Sequence, residues 1–72
     1  MTNEELRGLY PNVRNNLIDA RRSRGVTQRD AAIKLDVSWP YYSMIELGET
    51  TPYPKLAEKI TKMFGYEWEE ES

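Results

Sequence analysis

The stretch TQRDAAIKLDVSWPYYSMIELG, Thr27 to Gly48, contains two short helical patterns and the joint between them. Thr27 is a natural N-cap, and Asp30 stands in the third helical position, a Thr-x-x-Asp variant of the capping box. The helix it opens, 27–35, would bury Ala31, Ala32 and Leu35, with the two alanines small where another helix must approach. Leu35-Asp36-Val37 then separates this helix from Ser38, the next N-cap. Asp36 falls where a left-handed residue is useful, a conformation Asp tolerates better than most residues do. The second helix, 38–47, carries Pro40 in its first turn, where no intrahelical N–H bond is lost. Tyr42 and Ile45 recur toward a core at helical spacing, Met44 is a further candidate, and Gly48 ends the helix.

Working outward, the punctuation stays regular and no segment alternates like a strand. Residues 3–9 read as a short leading helix capped by Thr2 or Asn3, with Glu4 and Glu5 in its first turn. Pro11 suits the opening of the next helix, 11–24, because a first-turn position needs neither its N–H nor a free φ. Val13, Leu17 and Ala20, with Ile18 and Leu9 as additions, supply the buried stripe. Arg21, Arg22 and Arg24 crowd the last turn, where positive charge meets the helix dipole, and Gly25 can take the left-handed cap. Beyond ETTPYP, a helix at 54–64 places Leu56, Ile60, Met63 and Phe64 on one apolar stripe and stops at Gly65. Tyr66 and Trp68 are then expected to fold back and close the core. The sum is an all-α bundle of four to five helices.

Composition narrows the functional classes. Seventy-two residues make one domain, with 1–10 as an N-terminal extension and 66–72 as an acidic C-terminal tail. At 39% hydrophobic and 31% charged, the chain has a soluble globular balance rather than a disordered one. The sequence has no cysteine and no histidine, which removes disulfides, thiolate zinc sites, imidazole bases and nucleophilic triads. Its carboxylates sit on charged faces without a base, a metal set or a Gly-rich loop, so no enzyme, cofactor or metal is expected. No apolar run approaches the roughly 20 residues of a membrane span, and MTNEELRG has no signal-peptide pattern. A cytoplasmic protein without a membrane partner is the expectation. The net charge of -2 does not favour a nucleic-acid binder, but its distribution does more. Between Val13 and Lys34 lie Arg14, Arg21, Arg22, Arg24, Arg29 and Lys34 against Asp19 and Asp30, whereas the end, EWEEES, is acidic. Such a division is compatible with one phosphate-facing edge.

A three-residue turn between two short helices is the mark of a helix-turn-helix. At TQRDAAIKLDVS and YSMIELG the chain resembles the helix-turn-helix family of phage repressors and Cro proteins, the xenobiotic-response-element-like bacterial regulators. The likeness runs over about residues 13–70 and rests on Thr27-Gln28, Ala32 with Val37, Ile45-Glu46 with Gly48, and Pro52. It implies a compact, lambda-repressor-like bundle whose second motif helix enters the major groove of double-stranded operator DNA, commonly as a homodimer. It also implies site residues. Gln28 would donate to a phosphate; Ser38, Trp39, Pro40, Tyr41 and Met44 would approach base edges. Thr50, Thr51 and the segment from Tyr53 to Lys55 would follow the adjacent backbone. Arg21 would meet Glu46 in a structural ion pair, with Arg22 as the competing partner. The fold of the family closes shortly before residue 72, so no added dimerisation arm is expected.

Two departures bear on function. Asp36 stands where the family commonly has glycine, and from Ser38 to Leu47 there is no Arg, Lys, Asn or Gln. The usual Arg–guanine and Asn or Gln–adenine pairings are therefore missing from the recognition helix. Two functions remain open on these residues. One is a sequence-specific DNA-binding regulator of repressor type that leans on groove shape, thymine methyls and backbone. The other is a protein-interaction module whose Trp39, Tyr41 and Met44 face meets a regulator, an antirepressor or a toxin-like partner.

Overall fold

A computed structural model of the protein describes residues 2–68, and among these it has five helices and no strand. In chain order they are α1 (Asn3–Leu9), α2 (Asn15–Ser23), α3 (Gln28–Leu35), α4 (Trp39–Leu47) and α5 (Pro54–Phe64). Most of their ends are written in local chemistry. The Thr2 hydroxyl accepts from the Glu5 N–H at 3.2 Å, and the Glu5 carboxylate accepts from the Thr2 N–H, a reciprocal cap that opens α1. Thr27 accepts from the Asp30 N–H, and Ser38 from the Tyr41 N–H, starting α3 and α4. Asp36 takes the left-handed conformation with φ 59° and ψ 45°, and the Val37 N–H reaches back to the Ala32 carbonyl. This satisfies a carbonyl that the end of α3 would otherwise leave open and turns the chain directly into α4.

The start of α2 departs from the sequence expectation. Pro11 does not open a helix at 11–24. It occupies a turn in which the Val13 N–H donates to the Tyr10 carbonyl at 3.0 Å, and the helix begins only at Asn15. The reason is distant in sequence. The Arg14 N–H donates to the Glu46 carbonyl at 2.8 Å, drawing residues 12–14 across the end of α4. Gly48 makes room for that crossing: a Cβ on it would lie 1.9 Å from the Asn12 carbonyl oxygen. Leu9 is 63% exposed and takes no part in the buried stripe.

One core joins the helices: Leu17 from α2, Ala31, Ala32 and Leu35 from α3, Tyr42 and Ile45 from α4, and Leu56, Ile60 and Phe64 from α5. Burial of each large aliphatic or aromatic side chain contributes about 1.5–3 kcal/mol. In a domain this small, few such residues are dispensable. Ala31 and Ala32 are both buried and let α3 and α4 lie close together. Met44, by contrast, is exposed on α4, which settles its ambiguous position in favour of the outer face. Tyr66 is buried and meets Trp68 edge-on, with ring centres 4.8 Å apart. The Trp68 indole donates to the Ala57 carbonyl at 3.0 Å, so residues 66–68 close over α5. The rest of the acidic tail, residues 69–72, lies outside the described residues.

Candidate nucleic-acid interface

Helix α4 has two chemically distinct sides. Tyr42, Ile45 and Glu46 are buried, whereas Ser38, Trp39, Pro40 and Met44 are exposed. Tyr41 lies between these sets, half-buried and packed on the core. The exposed residues fill the first turn and continue one turn later at Met44, as helical spacing requires. Pro40 fits there because its missing N–H belongs to the unbonded first turn.

Behind this surface runs a polar network that fixes the helix. Glu46 is 0% exposed and Arg21 6%, and they form a two-pronged ion pair: Arg21 Nε donates to Oε2 at 2.6 Å and Nη2 to Oε1 at 3.1 Å. Arg21 Nη1 also donates to the Val26 carbonyl, tying the α2–α3 loop to the same point. Burial alone would lower the Arg21 pKa, but the hydrogen bond and charge of Glu46 more than offset it and raise it. Arg22 is exposed and makes no ion pair among the described residues. The buried Tyr42 hydroxyl has no hydrogen-bond partner among the described residues. Its pKa is pushed well above the ordinary tyrosine value, first by burial and then by nearby Glu46, with Arg21 opposing.

Gln28 is drawn into the same network. Its Nε2 donates to Glu46 Oε1 at 2.9 Å, and its Oε1 accepts from the Trp39 indole N–H at 3.2 Å. Both polar ends of the amide are thus engaged inside the protein, leaving one amide proton for an outside acceptor. The buried pair, Gln28 and Trp39 form a continuous chain from α2 to the exposed turn of α4. The family likeness pointed to Gln28 as a phosphate donor; it did not show that this side chain orients Trp39.

Two further residues were missed by sequence reasoning except as units of charge. Arg14 donates through Nη1 to the Ile45 carbonyl at 2.5 Å and the Thr50 carbonyl at 2.9 Å, and through Nη2 to Thr51 Oγ1 at 3.5 Å. It clamps the C-terminus of α4, where cationic charge suits the helix dipole, and its guanidinium also lies 5.1 Å from the Trp68 ring centre. Thr50 and Thr51 are accordingly held by Arg14, Thr50 half-buried and Thr51 exposed, while Lys55 is exposed in the first turn of α5. Thr50 and Thr51 lie beyond the end of α4 opposite to Trp39, a helix length of about 13 Å for its nine residues. Arg29 is exposed, and its guanidinium lies 5.2 Å from the Trp39 ring centre. The only signal available in the sequence was topological: a tight turn brings the first turns of α3 and α4 side by side.

Two short helices joined through a left-handed corner, the first crossed by a fixed polar network and the second exposing one side, define a helix-turn-helix protein. Residues 17–70 match the helix-turn-helix family model of Cro/C1 type, and the chain belongs to that family. Comparison with curated proteins and with solved structures gave no match. The family is one of DNA-binding regulators and not of enzymes, and membership supports a DNA-binding helix-turn-helix regulator. Among the described residues, no helix is long and apolar enough to cross a membrane.

Proposed function

We propose that the protein is a cytoplasmic transcriptional repressor that reads operator DNA as a homodimer. Helix α4 enters the major groove, and α3 lies across the neighbouring backbone. The observation that carries this reading is the sidedness of α4, whose first turn exposes Ser38, Trp39 and Pro40 while Tyr42, Ile45 and Glu46 anchor it from below. In this role Trp39, Tyr41 and Met44 contact thymine methyls, Ser38 hydrogen-bonds a base or phosphate, and Pro40 shapes the approach. Gln28 offers its remaining amide proton to a phosphate, and Thr50, Thr51 and Lys55 follow the backbone at the other end of the helix. Two recognition helices in the dimer stand roughly 34 Å apart, one turn of DNA.

Mobility shift against duplexes flanking the protein's own gene tests the proposal. Binding to one of them with a shallow salt dependence is expected, because net charge is -2 and Arg14 and Arg21 are turned inward. Gln28→Ala then weakens binding on every sequence and, by releasing the Trp39 indole, also lowers preference for the right site, while Trp39→Ala lowers that preference by about 5- to 150-fold. A slope implying on the order of eight or more phosphate contacts would contradict the charge reading.

The second reading is a surface for a regulator, antirepressor or toxin-like protein. It draws support from Trp39 and Met44, which are 48% and 41% exposed on one helix. Under it, Trp39→Ala abolishes partner capture, and the protein binds no duplex at any salt.

A further inference from the structure

The recognition helix lacks a guanine-reading side chain, yet one is brought to it from the helix before. We propose that Arg29 is a specificity-determining residue that reads a guanine in the major groove from its place against Trp39. The inference rests on the DNA-reading function proposed above and goes beyond it by naming the residue and the base.

Three observations carry it. Trp39 is the first residue of α4, the end of a recognition helix that comes nearest to base edges. Its indole is held by Gln28, which is held in turn by the buried Glu46, so the ring is a fixed platform rather than a mobile surface aromatic. The Arg29 guanidinium lies over that ring at 5.2 Å and forms no ion pair among the described residues. A guanidinium over an aromatic face is held there by the ring quadrupole, while its planar fork of N–H donors stays available to an outside acceptor. Those paired donors match O6 and N7 of guanine, the commonest base contact of arginine. Arg22 and Arg24 make no ring contact with α4 among the described residues. A phosphate contact by Arg29 would need only its charge; seating on the first reading residue adds orientation, which charge alone does not use.

Selection from randomised duplexes with the full chain tests this, using the wild type, Arg29→Ala and Arg29→Lys at one salt concentration. Melting temperature serves as a check that each exposed substitution leaves the fold intact. The expected result is one guanine position per half-site that Arg29→Ala loses and Arg29→Lys reads more weakly, while the other positions persist. Replacing that guanine should weaken wild-type binding by about 5- to 150-fold and leave Arg29→Ala indifferent. Retention of the guanine by Arg29→Ala, or its equal weakening on every sequence, would overturn the inference in favour of a phosphate contact. A wild-type motif unchanged in both variants would overturn it while leaving the DNA-reading function standing. Failure of the wild type to bind any duplex would remove that function and this inference together.

Discussion

Glu46→Ala is the most informative single perturbation of this fold. Glu46 is fully buried and accepts from Arg21 Nε, Arg21 Nη2 and Gln28 Nε2. Removing the carboxylate leaves a buried guanidinium with the Val26 carbonyl as its remaining acceptor among the described residues. Loss of one partner from a buried pair costs about 3–5 kcal/mol, mostly because the other charge stays desolvated. A chain of 72 residues has a total stability of roughly 4–11 kcal/mol, so the variant loses about a quarter of it or more. At roughly 4–8 °C per kcal/mol, the melting temperature should fall by at least about 12 °C. Urea unfolding followed by circular dichroism measures the change directly. The double variant Arg21→Met, Glu46→Leu, set in a cycle with its own two single variants, should recover much of the loss, since neither charge is then buried. A change below about 1 kcal/mol, the range of exposed pairs, would refute the reasoning. So would a double variant as unstable as the sum of its parts.

Other expectations follow from single positions. Tyr42→Phe removes a buried hydroxyl without a partner among the described residues, so stability should hold or rise by about 1 kcal/mol in urea unfolding. The pKa of Tyr42 is raised in the folded protein, so above its ordinary value of about 10 the unfolded chain loses the proton first. Stability therefore declines as pH rises past about 10, and Tyr42→Phe should lessen that decline in melting curves taken from pH 9 to 11. Asp36 has φ 59°, so Asp36→Ala should cost about 1 kcal/mol, whereas Asp36→Gly should match or exceed the wild type in the same assay. Gly48→Ala combines a φ of 75° with a Cβ 1.9 Å from the Asn12 oxygen. It should cost more than about 2 kcal/mol and loosen the 12–14 segment, read by hydrogen exchange at the Arg14 amide.

Much of the helical frame was legible because helix ends depend on residues within a few positions of one another. Thr27 with Asp30, Ser38 with Pro40, and the glycines at 48 and 65 each act through local backbone geometry, and α3, α4 and α5 lie where those signals put them. The apolar spacing of α5 likewise named Leu56, Ile60 and Phe64 as its buried side. The same short range explains what sequence left open. The first turn of α2 is displaced from Pro11 to Asn15 by a bond between Arg14 and Glu46, residues far apart in the chain, and no local propensity encodes that bond. Met44 fits two faces of a helix by spacing alone, and only the placement of α3 and α5 decides which face is covered. For the candidate site, family likeness brought Gln28 and the α4 residues into view, but Gln28 and Arg29 acquire their relation to Trp39 only when the turn at Asp36 sets two helix starts together. Local hydrogen bonding is determined along the chain; the partners of long polar side chains are determined by which helices pack.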